Sequence, residues 1–195
     1  MSRAPGWWRS VARVAKHLSG DLRYGGFLGG TQATRFAGLG YYEIANSSYD
    51  ALTVMLGGRL RRGDKVVDVG CGKGRVLNFL LSVDLDLDIT GIEVDEAVAQ
   101  ATAERLRGYP KVRVLVGDAR KQLPASFDLL YMYNPFNASV MVEFEPLLRS
   151  RATRIVYYNP LHLKAFSRRH WYVTLHSMQT TGLEHDFAEL ACKRH

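Results

Sequence analysis

The sequence predicts a doubly wound α/β domain. It should be a three-layer sandwich around a mostly parallel seven-strand sheet with an antiparallel final strand, preceded by an N-terminal helical extension. Three observations predict it. After residue 63, strand-like and helix-like segments alternate strictly. The strand segments are nearly continuous apolar runs, as in parallel strands covered on both faces. The last two strand segments have no helical crossover between them, so they should form an antiparallel hairpin at the sheet's edge.

The elements follow in order. Residues 7–18 make an amphipathic helix, with Trp7, Trp8, Val11, Val14, Ala15 and Leu18 on one face and Arg9, Ser10, Arg13, Lys16 and His17 on the other. The glycine-rich stretch 25–40 is a loop or lid. Residues 46–60 form a helix that Asn46, Ser47 or Ser48 would cap and Gly57-Gly58 would end. "KVVDV" (65–69) is the first strand and "GRVLNFLLS" (74–82) its helix. "DITGIEV" (88–94) and "DEAVAQATAERLRG" (95–108) repeat the pair. "KVRVLVGD" (111–118) and "FDLLYMYN" (127–134) are strands three and four. "SVMVEFEPLLRS" (139–150) is helical, with Pro146 a break or kink. "TRIVYYN" (153–159), "WYVTLHSM" (171–178) and "DFAELACK" (186–193) complete the sheet. This divides the chain into an extension, 1–60, acting as a lid or substrate cap, and a ligand-binding domain, 61–195.

Size and composition narrow the function classes. A chain of 195 residues suits one domain with a full core. Its 47% hydrophobic and 23% charged residues are ordinary for a globular protein. No apolar run approaches the roughly 20 residues that span a bilayer. The opening "MSRAPGWWRSVARVAKHL" lacks the apolar centre of a secretory signal. Cys71 and Cys192 build no disulfide framework, so a cytoplasmic, reducing location is expected. The net charge of +7 concentrates in two stretches, residues 1–24 and 59–75, each with a net of +4. Such clusters suit an anionic cofactor, substrate, membrane or nucleic acid, or simply a solvated basic surface. The 7–18 helix has three readings: docking on its own domain, a peripheral membrane contact, or a contact with a partner or second copy. The oligomeric state stays open.

Chemistry concentrates at "VVDVGCGKGRVL". Gly70, Gly72 and Gly74 follow the first strand and lead into the first helix, where a ligand can lie against bare backbone and helix N–H groups. Glu93 ends the second strand 19 residues after Gly74, where a ribose-binding carboxylate belongs. Asp95 is placed to cap the next helix. Dinucleotide enzymes usually spell the loop G-x-G-x-x-G; this chain spells G-x-G-x-G and ends its third strand with "VGDAR". No His, Cys, Asp or Glu spacing suggests a metal. Cys71 lacks a paired His and reads as a small loop residue.

Taken together, "VVDVGCGKGRVL", "GIEVD", "VLVGDAR" and "LLYMYNPF" resemble the class I S-adenosylmethionine-dependent methyltransferases over about residues 63–193. The resemblance implies S-adenosyl-L-methionine as cofactor and S-adenosyl-L-homocysteine as product. It implies that Asp68 faces the cofactor's amino-acid end, that Gly70 and Gly72 let the backbone touch its methionine part, and that Gly74 belongs to the same cofactor-binding loop. Glu93 would bind the ribose hydroxyls, Asp118 the adenine amino group, and the Ala119 backbone the ring. "NPF" resembles the Asn/Asp-Pro-Pro-aromatic signature of nitrogen-modifying members, with the second proline absent. Asn134, Pro135 and Phe136 are therefore the catalytic candidates. Asn134 precedes a proline, so its backbone should be extended, with its amide oxygen and a nearby carbonyl accepting an amine's N–H bonds. Tyr41, Tyr42, Tyr49, Tyr133 and Tyr158 are candidates for acceptor contact, Tyr158 within a second "YYNP" at 157–160. Transfer of a methyl group to nitrogen of a small-molecule amine is the leading expectation. A protein lysine side chain is the alternative acceptor. A nucleic-acid acceptor or a non-catalytic cofactor-binding module is a further alternative, and nucleic acid fits less because no aromatic–basic alternation is visible.

Overall fold

The computed structural model describes residues 18–31, 33–43, 45–180 and 183–193, so the helix expected over 7–18 lies almost wholly outside the described residues. Helix α1 spans Tyr49–Leu56. Then β1 (Lys65–Val69), α2 (Arg75–Ser82), β2 (Asp88–Glu93), α3 (Glu96–Leu106), β3 (Val112–Val116) and the short α4 (Ala119–Gln122) follow. Next come β4 (Phe127–Tyr133), α5 (Ala138–Arg149), β5 (Ala152–Tyr158), β6 (Trp171–Thr180) and β7 (Leu183–Cys192). Short 3-10 turns occupy Ala37–Leu39 and Leu163–Ala165.

The sheet has seven strands in the order β3-β2-β1-β4-β5-β7-β6. Strands β1 to β5 pair in parallel, and β7 is antiparallel to both β5 and β6, so it alone runs against the rest. Strand order reverses between β1 and β4, which opens a crevice at their carboxyl ends.

Alternation along the strands feeds two cores. Val66, Leu129, Tyr131, Val156 and Phe187 pack against Leu52, Met55 and Leu56 of α1 and Leu77 and Leu80 of α2. Val67, Leu130, Met132, Ile155, Tyr157 and Leu190 pack against Met141, Phe144 and Leu148 of α5. Leu52, Met55 and Leu56 are fully buried, so truncating any one to Ala costs about 2–5 kcal/mol.

Local chemistry sets the helix ends. Ser48 caps α1 by accepting from Ala51 N at 3.1 Å, and Asp95 caps α3 by accepting from Ala97 N at 3.1 Å. Helix α1 is shorter than its expected span of 46–60, because the cap sits at Ser48 and the helix stops before Gly57-Gly58. Pro146 does not break α5, which runs through to Arg149. The carbonyl that loses its donor belongs to the exposed Val142. Among the described residues, no helix is long and apolar enough to cross a membrane.

Candidate active site

Where β1 ends, Gly70, Gly72 and Gly74 adopt positive φ of 76°, 50° and 83°. This lets Gly70 N and Cys71 N both donate to the Ile92 carbonyl, at 2.9 and 3.0 Å. A Cβ on Gly70 would stand 3.3 Å from Pro135 Cβ, so bare backbone is needed where the β1 loop passes the β4 loop.

Two carboxyls sit beneath this loop. Glu93 is buried, accepting from Gly72 N through Oε2 and from Asp95 N through Oε1, both at 2.9 Å. Burial raises its pKa against those bonds. Asp68 is 2% exposed, and its Oδ2 has no hydrogen-bond partner. Burial, and then the charge of Glu93, pushes its pKa well above the usual carboxylate range. Asp118 is held differently: it accepts from Arg120 N at 2.8 Å and takes the Arg120 guanidinium on both oxygens at 2.7–3.1 Å. Burial works to raise its pKa, but the Arg120 and Tyr41 bonds prevail and lower it. Ala119 is buried at the first position of α4.

The β4 loop departs from expectation. Asn134 has φ 38°, in the left-handed region, not the extended one. Proline excludes the right-handed helical conformation from the residue before it, and Asn tolerates the left-handed alternative better than most side chains. Its amide is buried, and Oδ1 accepts from the Tyr157 hydroxyl at 2.8 Å. Tyr157 Oη in turn accepts from His162 N at 3.3 Å. The neighbouring Pro135 carbonyl accepts from Tyr42 N at 3.1 Å, and Asn137 N donates to the Gly40 carbonyl at 2.7 Å. Residues 40–42 are thus stitched to 135–137 through a Tyr41–Phe136 bridge, and Asn134 Oδ1 and the Pro135 carbonyl each hold one donor.

Between these loops lies a narrow cleft. Gly70, Ile92, Glu93 and Gly117 form one wall. Thr34, Tyr41, Tyr42 and Glu43 from the extension form another, and Tyr133, Pro135 and Phe136 the third. Phe136 is 1% exposed, packed edge-on by Tyr41 and Phe144 at ring distances of 5.5 and 5.1 Å. Burial, then the Asp118 charge, pushes the Tyr41 pKa up to about 12. Tyr42 Oη lies 3.2 Å from His162 Nε2. Arg35 of the extension binds Asp95 at 3.2 Å.

The structure thus gathers Gly70, Glu93, Tyr41, Tyr42, Tyr133, Pro135 and Phe136 around one cleft, with Asp68 and Asn134 buried behind it. Tyr49 lies elsewhere: it is buried and donates to Asp21 Oδ1 at 3.0 Å. Tyr158 is buried behind Tyr133, ring centroids 4.3 Å apart. His162, which meets Tyr42, is marked in the sequence only by its place just after the second "YYNP". Among the described residues, no three His, Cys, Asp or Glu side chains cluster as a metal site.

Residues 66–153 match the family model described as "Methyltransferase domain". An uncharacterized methyltransferase of Bacillus subtilis (strain 168), YdaC, is 37% identical over 70 residues, which is 35% of this chain and 38% of that relative's length. A methyltransferase from Pyrococcus furiosus superposes with a TM-score of 0.63 at 14% identity, covering 74% of this chain and 83% of that one. TrmN from Thermus thermophilus superposes at 0.64 and 16% identity, over 75% of this chain and 49% of that one. An RNA methyltransferase from Salinibacter ruber, solved with S-adenosyl-L-homocysteine, superposes at 0.58 and 17% identity, over 76% and 93%. Residues 66–153 are thus similar to a methyltransferase domain, and the seven-strand order with a cleft at its topological switch gives the chain the fold of the solved methyltransferases on which it superposes.

Proposed function

We propose that this protein transfers the methyl group of S-adenosylmethionine to nitrogen of a small-molecule amine. The observation that carries the cofactor half is the unpartnered Oδ2 of buried Asp68, beside Glu93 and beneath a glycine cradle. A buried acceptor without a donor costs about 1–3 kcal/mol, and a cationic amino-acid end would supply donor and charge together. Glu93 uses one lone pair of each oxygen on backbone N–H groups, leaving the others for ribose hydroxyls. Asp118 would accept from the adenine amino group on lone pairs that Arg120 leaves free, with the Ala119 backbone facing the ring. When bound, the cofactor supplies an electrophilic methyl on a sulfonium centre.

The chain's own residues then have a positioning task, because in-line attack rewards alignment above all. Asn134 Oδ1 and the Pro135 carbonyl each hold one donor and keep a lone pair for an acceptor N–H, and Glu43 at the cleft adds a carboxylate acceptor beside them. The faces of Tyr42 and Tyr133 favour positive charge developing on the alkylated nitrogen. A free alkyl amine with a pKa of about 10.4 arrives protonated, so the cleft must take its proton before attack. Asn134, Pro135 and Phe136 hold the β4 loop in place for this step. Residues 1–60 act as the cap that closes over cofactor and acceptor, and 61–195 hold the cofactor.

The test is calorimetric titration with S-adenosylmethionine and, separately, NAD, on wild type and Glu93→Ala, followed by labelled-methyl transfer to a panel of amines, a lysine peptide and an RNA. Micromolar S-adenosylmethionine binding, weakened at least about tenfold in Glu93→Ala, is expected, with label on the amines. NAD binding in its place would overturn the reading. Label on the peptide or RNA alone would move the acceptor to lysine or nucleic acid.

A further inference from the structure

Helix α3 reaches back to the glycine loop with two side chains three residues apart, hence on one face. Thr102 Oγ1 donates to the Gly72 carbonyl at 2.9 Å, and Arg105 Nη2 donates to the Lys73 carbonyl at 2.8 Å. Each of these carbonyls is therefore turned toward α3, and a trans peptide points the N–H of the following residue the opposite way. The Lys73 N–H is thus turned away from α3, while the Gly74 N–H closes the loop on the Cys71 carbonyl at 2.8 Å.

Arg105 does more than hold the loop. Its Nη1 donates to the Tyr24 carbonyl at 2.7 Å and to Asn78 Oδ1 at 2.9 Å. One planar guanidinium thus joins the glycine loop, helix α2 and the extension. Glycines make room on both sides: a Cβ on Gly74 would stand 2.8 Å from Arg105 Nη2, and a Cβ on Gly26 2.9 Å from Arg105 Cδ. A parallel tie runs from Lys73 Nζ to the Gly29 carbonyl at 3.1 Å. The far end of the segment is anchored too. Buried Asp21 pairs with Arg75 at 2.7 Å and accepts from Leu28 N at 3.2 Å. None of residues 24–29 lines the cleft.

We propose that Arg105 is a positioning residue that couples residues 24–29 to the glycine loop, so that ligand bound in the cleft is registered in a segment it does not touch. This rests on the methyltransferase reading of the cleft. The reason is geometric: a guanidinium shared by two backbone carbonyls cannot follow a shift of one without straining its bond to the other.

The experiment combines S-adenosyl-L-homocysteine titration with amide hydrogen exchange of residues 24–29 in wild type, Arg105→Met, Arg105→Lys and Gly26→Ala. In wild type, saturating ligand should slow exchange over 24–29. Arg105→Met should bind about tenfold more weakly and lose that protection even when saturated. Arg105→Lys, which keeps the charge but not the fork, should recover only part of both. Gly26→Ala crowds the Arg105 side chain from the extension side and changes no residue of the glycine loop, so it should blunt the protection while weakening affinity less than Arg105→Met does. It also carries the test should Arg105→Met fail to fold by circular dichroism. Undiminished protection in Arg105→Met or Gly26→Ala, or wild type that binds ligand without protecting 24–29, would overturn the inference alone. Wild type that binds no ligand would overturn the cofactor reading and this inference with it.

Discussion

Two turns with the same spelling end neighbouring strands. Tyr133-Asn134-Pro135 closes β4 and Tyr158-Asn159-Pro160 closes β5. Both asparagines adopt the left-handed conformation, at φ 38° and 47°, and among the described residues only Asp86 joins them as a non-glycine with positive φ. Their surroundings then diverge. Asn134 is buried, with its amide oxygen held by Tyr157 and the next carbonyl held by the extension. Asn159 is exposed and anchors only through its backbone, N to the Asp186 carbonyl at 2.9 Å. Three residues of local chemistry set the turn. The strand's place in the sheet decides whether the turn faces the cleft, because of these two strands β4 borders the reversal of strand order and β5 does not.

Valine at each asparagine should break the comparison most sharply. A β-branched residue in the left-handed region is strained by about 1–2 kcal/mol at either site. At 134 the loss of the Tyr157 bond adds about 1–2 kcal/mol. Urea denaturation should therefore show Asn134→Val roughly twice as damaging as Asn159→Val, and methyl transfer should survive only in the latter. Acidity provides the next contrast, since only the β4 turn overlooks buried carboxyls. Burial is the first cause that raises the pKa of both Asp68 and Glu93. The folded chain thus binds more protons than the unfolded chain above the usual carboxylate value of about 4. Stability of the free protein should fall as pH rises from there through the raised values, and Asp68→Asn should flatten the slope. Tyr157→Phe removes the hydroxyl that holds Asn134 and receives His162 N. It should cost about 1–2 kcal/mol and lower turnover, with S-adenosyl-L-homocysteine affinity unchanged. The smallest effect should come from Pro160→Ala, about 0.4–1 kcal/mol through the unfolded chain, with activity intact.

The strands and helices were legible because their apolar runs and caps are local. Asp95 as a helix cap could be read from its position alone. So could the glycine loop, since the backbone needs glycine there whatever surrounds it. The posture of Asn134 was not legible: proline's effect on its neighbour excludes one region of backbone space without choosing between the remaining two, and Asn is the residue for which that choice is open. Arg120 lies only two residues from Asp118, yet nothing in "VGDAR" says that the carboxylate would turn back to it. Tyr49 illustrates another limit. Its partners Asp21 and Arg75 are 28 and 26 residues away, and no periodicity reports a contact of that kind. Arg105 is invisible for the same reason, sitting in a helix whose pattern reads as an ordinary charged face.

The placement of β7 between β5 and β6 has a kinetic consequence. β6 comes earlier in the chain but touches the sheet only through β7. It cannot add to the growing edge in chain order. The β6–β7 hairpin must close first and dock as a pair, or β7 must seat and recruit β6 afterward. The hairpin is local and closes in microseconds, whereas the β5–β7 seam spans a longer loop, which favours the first route. Substitutions such as Val173→Ala within the hairpin should then slow refolding in stopped-flow experiments more than they hasten unfolding.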